Sequence, residues 1–250
     1  MFFVNATSLC KSNAVQLLNA DLLVNNIHVA FVAETWFDYR ILDKEVNLDN
    51  YVLIRLDRNP AQKRKGGGLC AYVRNDVSCQ VVKLRNANAP DLEYMSIQCS
   101  YSGRSYVIMC IYHPPKPLYS TPTLLFHLSS DLEHLLRAHA DAIFIVAGDF
   151  NRLDTGFLSD QFGLQQLVSV HTHGKNTIHK VFVSHPHIYG CMVFKSLLKT
   201  KHKAVILYGG NEDNAKPVAT RKKVSVPDLR EPFVNKLLSQ VCGCDSASSI

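Results

Sequence analysis

Ala142-Ile-Phe-Ile-Val-Ala-Gly-Asp-Phe-Asn151 is the stretch whose reading decides the fold. Ala142 to Ala147 is an unbroken run of apolar or small residues, and Gly148, Asp149, Phe150 and Asn151 follow at once. A short β-branched run closed by glycine predicts a strand buried on both faces. Side chains alternate along a strand, so the spacing predicts that Asp149 and Asn151 leave it on the same side. A carboxylate and an amide together at the mouth of a buried strand suit metal and phosphate chemistry. Gly, Asp and Asn are also turn formers, so an ordinary strand-ending turn is the plainer reading of the same four residues.

The flanking chain repeats the theme. Phe2 to Val4 is a short apolar run that ends on Asn5. Thr7-Ser8 offers a helix entry, and Val15, Leu17, Leu18, Leu22 and Leu23 follow at helical spacing until Asn25-Asn26. A second buried strand, Ile27 to Ala33, ends on Glu34-Thr35-Trp36. The middle predicts antiparallel hairpins, with strands at Tyr51 to Leu56, Leu69 to Val73, Ser78 to Leu84, Leu92 to Cys99 and Tyr106 to Tyr112. Between the first two lies a basic loop, Arg58 to Lys65, and then Gly66-Gly67-Gly68. A phosphate loop would want a helix next, so a turn or bulge is the expectation here.

Leu125, Leu128, Leu132, Leu135 and Leu136 mark a helix over Leu124 to Ala140, immediately before the opening strand. Further on, the pattern predicts a short helix at Ser159 to Leu167, a strand at Lys180 to Ser184 and a last strand at Ala204 to Leu207. Alternating helices and strands at both ends, with hairpins between, predict an α/β fold. Its form is a four-layer αββα sandwich of two mixed sheets flanked by helices. The domain is expected over residues 1–208, and 209–250 as a basic linker with one helix at Asp228 to Val241.

Composition sets bounds. The 250 residues carry a net charge of +6 with a pI near 8.8, which suits a polyanionic partner without requiring one. No apolar run approaches the roughly 20 residues that span a bilayer, and the N-terminus lacks the regions of a signal peptide. The eight cysteines form no CxxC pair, so reduced thiols and an intracellular location are expected. Six histidines fall between His171 and His202. Their spacing fits no zinc-ligand pattern, so no zinc site is expected.

The predicted strand ends thus offer Asn5, Glu34, Tyr112, Asp149 and Asn151, with His202 just before the last strand. Singly, these are a cap, a surface charge, a packed aromatic, a turn and a surface imidazole. Converging, they favour Mg²⁺ or Mn²⁺ over zinc, and phosphodiester hydrolysis as the reaction.

In order and spacing, Asn5-Ala-Thr-Ser-Leu9, Glu34-Thr-Trp-Phe37, Gly66-Gly-Gly-Leu-Cys-Ala-Tyr-Val73, Ile111-Tyr-His-Pro-Pro115, Gly148-Asp-Phe-Asn151 and Lys201-His-Lys-Ala-Val205 resemble the endonuclease/exonuclease/phosphatase superfamily. Within it the chain resembles the endonuclease domain of LINE-type (non-LTR) retrotransposon polyproteins. The resemblance implies a Mg²⁺-dependent (or Mn²⁺-dependent) endonuclease that nicks target-site DNA to leave a 3′-hydroxyl primer. It implies a nuclear location and a reverse-transcriptase domain in the full-length polyprotein. It also implies roles: Glu34 as metal ligand with Asn5 beside it, Asp149 orienting or deprotonating water, and Asn151 on the scissile phosphate. Tyr112 would touch the phosphate or the metal's water shell, and His202 would stabilise developing charge. Thr172, Lys201 and Arg64 would lie near the substrate.

Two positions depart from the family pattern. Ser-Asp-His before the last strand is replaced by Thr200-Lys201-His202, and Leu-Asp-x-Val-Phe by Ile178-His179-Lys180-Val181-Phe182. The second aspartate would pair with the histidine, and losing such a carboxylate costs on the order of 10⁴-fold in the serine-protease case. Lys201 would either oppose a cation or contact phosphate directly. A catalytically impaired copy that keeps the fold and binds nucleic acid weakly is therefore the alternative. A phosphatase acting on a small phosphate ester is a third reading, disfavoured by the basic tail.

Overall fold

The computed structural model describes residues 1–58, 66–82, 84, 89 and 91–209. The expected linker and helix, and Arg64 with most of its loop, lie outside them. The elements in order are β1 (Phe2–Asn5), α1 (Ala14–Val24), β2 (Val29–Ala33), α2 (Asp43–Val46), β3 (Tyr51–Leu56), β4 (Leu69–Arg74), β5 (Ser78–Val81), β6 (Glu93–Tyr101) and β7 (Arg104–Tyr112). There follow α3 (Thr121–Ala138), β8 (Ile143–Asp149), α4 (Gly156–Asp160), β9 (Gln165–Gln166), β10 (His179–Val183), a 3₁₀ turn at Pro186–Ile188, β11 (Tyr189–Phe194) and β12 (Ala204–Gly209).

Two six-stranded sheets result, in the orders β11-β12-β1-β2-β4-β3 and β5-β6-β7-β8-β10-β9. Each has one parallel pair near its centre, β1 with β2 and β7 with β8; the other pairings are antiparallel. Parallel neighbours need a crossover, and here α1 and α3 supply it.

Strand alternation sorts the core into three layers. Phe3, Phe31, Ala71, Ile97, Ile108, Cys110, Ile145, Ala147 and Val181 face into the gap between the sheets. Phe2, Val4, Ala30, Val32 and Tyr72 meet Leu18 and Leu22 of α1. Val107, Met109, Ile111, Phe144 and Val146 meet Leu124, Leu128, Leu132 and Leu135 of α3. Each such leucine is fully buried and contributes about 1.5–3 kcal/mol. The order helix, sheet, sheet, helix is the αββα sandwich expected from the sequence.

Three local readings are corrected. The first helix does not enter at Thr7-Ser8; both have positive φ in a loop, and α1 begins after Asn13. The stretch Ser159 to Leu167 is not a helix, because a single turn, α4, gives way to the two-residue strand β9, which pairs with β10. The edge strand β11 pairs with β12 where no strand was expected.

Gly148 lets the central parallel pair close up. A Cβ there would stand 2.0 Å from the Ile111 carbonyl oxygen, so Gly148→Ala must push β8 away from β7. Urea unfolding is expected to show a loss of about 2–3 kcal/mol, at the upper end for overpacking. Unchanged stability would show that the pair tolerates separation.

Candidate active site

Residues whose side chains fill the gap between the sheets are followed, two positions on, by polar groups at its rim. Asn5 follows Phe3, Tyr112 follows Cys110, and Asp149 follows Ala147. His179 begins the alternation that continues in Val181 and Val183. Register places Tyr112 and His179 on either side of Asp149 in one sheet. Asn5 stands at the end of β1 in the other, level with Ala33, the residue before Glu34. The carboxyl ends of both parallel pairs therefore meet at one edge of the gap, the usual place for a ligand in sheets of this kind.

Glu34 reaches the rim by a backbone device. Strict alternation would send it toward the helix layer, but Glu34 and Trp36 have φ of 54° and 62°. Such left-handed conformations strain residues other than glycine, so the neighbours must hold them. The amides of Thr35 and Trp36 donate to the carbonyls of Gly68 and Gly67, and Ser8 N–H donates to the Glu34 carbonyl at 2.8 Å. Gly66, Gly67 and Gly68 all have positive φ, and a Cβ on Gly68 would come 2.5 Å from Thr35 Oγ1. The glycine run is thus the cradle of the Glu34 turn.

One amide ties the two carboxylates together. Asn5 Nδ2 donates to Glu34 Oε1 at 2.9 Å and to Asp149 Oδ2 at 2.8 Å. Its Oδ1 accepts the Thr7 N–H at 2.9 Å, which fixes the amide's orientation. Tyr112 OH donates to Glu34 Oε1 at 2.9 Å, and Trp36 Nε1 donates to Oε2 at 3.2 Å. Burial, then the neighbouring Glu34, holds the Tyr112 phenol well above its ordinary pKa, so it remains a donor. Asp149 has no exposed surface. Burial lifts its pKa from 3.8 to about 7, with Glu34 adding and the donors Asn5 and Asn151 N–H opposing.

His179 and His202 form a pair. His179 Nδ1 lies 2.9 Å from the Lys203 carbonyl oxygen and Nε2 lies 2.9 Å from His202 Nδ1. A carbonyl only accepts, so in the neutral pair Nδ1 of His179 carries its proton and Nε2 accepts from His202 Nδ1–H. His202 Nε2 is then a bare lone pair. Burial first, then the adjacent imidazoles, lowers His179 to about 3 and His202 to about 4. Thr172 is fully buried and its Oγ1 accepts the N–H groups of Ile178 and His179, both at 3.0 Å. Its carbonyl accepts Lys203 N–H at 2.8 Å. It ties together the segments that carry the two histidines.

The remaining expected residues lie less centrally. Asn151 is off the strand, in a left-handed turn with φ 46°. Its Nδ2 donates to the His113 carbonyl at 2.8 Å, and its own N–H caps Asp149 Oδ1 at 3.2 Å. The expectation that it shares a strand face with Asp149 is therefore corrected. Lys201 is exposed. Arg58, the first residue of the basic loop, is half-buried in an ion pair with Glu93, with its guanidinium 5.7 Å from the Tyr112 ring centre. Trp36 holds Glu34 through Nε1, and its one signal in the sequence is its place in Glu34-Thr-Trp36. Spacing in the sequence fits no zinc-ligand pattern, yet the fold brings ligand atoms of Asp149, His179 and His202 within 4.8 Å of one another.

A model of the Endonuclease/Exonuclease/phosphatase family matches residues 4–191. The chain belongs to that family, whose members hydrolyse phosphoesters. Similar solved structures share the fold at low identity. The endonuclease domain of TRAS1, a telomere-specific non-LTR retrotransposon, is 13% identical with a TM-score of 0.58, covering 84% of this chain and 99% of that one. An AP endonuclease from Archaeoglobus fulgidus is 11% identical with a TM-score of 0.58, covering 84% and 100%. A mannosyl-6-phosphatase from Bacteroides thetaiotaomicron is 14% identical with a TM-score of 0.58, covering 83% and 99%. No curated protein sequence matches the chain. Among the described residues, no helix is long and apolar enough to cross a membrane.

Proposed function

We propose that the chain is a Mg²⁺- or Mn²⁺-dependent DNA endonuclease of the retrotransposon type. It nicks target-site duplex in the nucleus and leaves a 3′-hydroxyl primer for a reverse transcriptase in the same polyprotein. The observation that carries this reading is the Asn5 amide joining Glu34 and Asp149 at the mouth of the sheet gap. The basic excess and the ordered motifs favour DNA over a small phosphate ester.

Mg²⁺ binds through one or two carboxylates and keeps several waters. Glu34 fits: it is half-buried, and among the described residues its Oε2 accepts one hydrogen bond, from Trp36 Nε1, which leaves that oxygen lone-pair capacity for a cation. Asn5 turns its nitrogen toward Glu34, so it orients the carboxylates instead of adding an oxygen ligand. When bound, the cation would neutralise charge on the phosphate and its leaving oxygen. Asp149, poised near neutrality, takes a proton from the attacking water. Tyr112 keeps its phenolic hydrogen bond on Glu34 Oε1 and so holds that carboxylate beside the phosphate. The water oxygen forms the new P–O bond as the P–O3′ bond breaks, and the 3′ oxygen takes a proton from solvent to leave as the hydroxyl primer.

Supercoiled plasmid is expected to relax with Mg²⁺ and stop on chelation, and Glu34→Gln is expected to slow nicking by on the order of 10²–10³-fold. Nicking that survives both would remove Glu34 from the mechanism. One observation favours the impaired reading: an imidazole, not a carboxylate, stands 2.9 Å from His202. No nicking by the native chain, with activity gained in His179→Asp, would establish it.

A further inference from the structure

We propose that Asp149, His179 and His202 form a binding site for a borderline transition-metal dication of the zinc, cobalt or nickel class, selective against Mg²⁺. Two imidazoles and one carboxylate are the donor set such ions favour, whereas Mg²⁺ favours oxygen. The distances are close to those needed. Ligands about 2.0–2.2 Å from a tetrahedral ion lie roughly 3.3–3.5 Å apart. Here His179 Nε2 is 2.9 Å from His202 Nδ1 and 3.8 Å from Asp149 Oδ2. All three ligand atoms lie within 4.8 Å of one another, so the histidine pair opens by about half an ångström and the Asp149–His202 pair closes by no more than roughly 1.4 Å to admit an ion.

The supporting groups are already in place. A metal-bound histidine donates its other N–H to a carbonyl or carboxylate, which fixes the tautomer and turns the lone pair to the ion. His179 Nδ1 does this to the Lys203 carbonyl. The ligating carboxylate is usually hydrogen-bonded too, and Asp149 accepts from Asn5 Nδ2 on one oxygen and from Asn151 N–H on the other. His179 and Asp149 are fully buried and His202 is half-exposed, so entry is from the His202 side. His202 joins by shifting its proton from Nδ1 to Nε2, which releases no net proton and exposes the Nδ1 lone pair. None of this depends on which phosphoester the chain cuts.

Co²⁺ titration of the full chain, with millimolar Mg²⁺ present and no DNA, tests the site. One equivalent is expected to bind with visible d–d absorption and without thiolate charge-transfer bands. His202→Gln is expected to weaken binding by more than about 100-fold, beyond the cost of losing a supporting partner. Because His202 is half-exposed this variant is expected to fold, and it decides the matter if His179→Ala does not. The Cys242→Ser, Cys244→Ser double variant and His187→Ala are expected to bind as the native chain does. Unchanged affinity in His202→Gln, displacement by Mg²⁺, or loss of binding in the cysteine variant would overturn the site. A chain that holds Co²⁺ but never nicks DNA would refute the nuclease reading alone; one that nicks with Mg²⁺ but ignores Co²⁺ would refute this one alone.

Discussion

Asp149→Asn is expected to give a protein that is more stable than the native one at pH 8 and nicks DNA about 10²–10⁴-fold more slowly, the usual worth of a general base. Both effects have the same cause. The Asp149 carboxyl has no exposed surface, and its pKa in the fold is about 7 against an ordinary 3.8. A folded-state pKa above the unfolded one means that the fold favours the protonated form. The stability that this proton contributes is complete below about pH 4 and is lost as pH rises through about 7. At pH 8 the native protein therefore carries a buried anion at a cost of about 2–4 kcal/mol. Asparagine is neutral and keeps an oxygen for the Asn5 amide, so the charge cost disappears, offset in part by loss of the bond from Asn151 N–H to the second carboxylate oxygen. Urea unfolding at pH 4 and pH 8 checks this: the variant's advantage should appear only at pH 8. His179 has the opposite linkage. Its folded pKa of about 3 lies below the ordinary 6.5, so stability is lost as pH falls toward 3; both proteins share this slope and it cancels. An advantage equal at both pH values would sink the buried-charge argument.

His179→Asp is expected to turn His202 from a neutral imidazole into a titrating one and to raise nicking by on the order of 10²–10⁴-fold. In the native chain, His202 Nδ1–H points at another imidazole, which cannot stabilise a positive ring, and burial with the nearby His173 depresses its pKa to about 4. A carboxylate at position 179 accepts the same Nδ1–H and favours the imidazolium by roughly 1–3 units. The protonated ring then offers Nε2–H to the charge that develops on phosphate. Lys201 needs no change, since it is exposed. Histidine ring NMR should show the His202 titration move toward neutrality while plasmid nicking rises. A moved titration with unchanged nicking would show that residue 179 does not limit the reaction.

The sequence made the centre of the fold plain and left its edges obscure. Buried parallel strands such as β2 and β8 are continuous apolar runs, and α3 carries a leucine stripe, so each declares itself locally. The edge strand Tyr189–Phe194 is half-buried throughout and shows no alternation. The strand Gln165–Gln166 exists only because β10 lies beside it. The site divides likewise. Asn5, Tyr112 and Asp149 extend the inward-facing alternation of their own strands and were legible as strand ends. Glu34 reaches the rim through positive φ, which no periodicity encodes. His179 and His202 are 23 residues apart and meet only through register and the isolated bridge between His173 and His202, so spacing rules for short zinc motifs could not find them.

The rim where the two sheets face each other has a mechanical side. Asn5, Glu34 and His202 belong to one sheet and its loops, and Tyr112, Asp149 and His179 to the other. Neither layer holds a whole site, so an ion or phosphate seated there acts as a clasp across the seam. Its binding free energy adds to the cohesion of the two halves, and the reaction centre can exist only while they are docked.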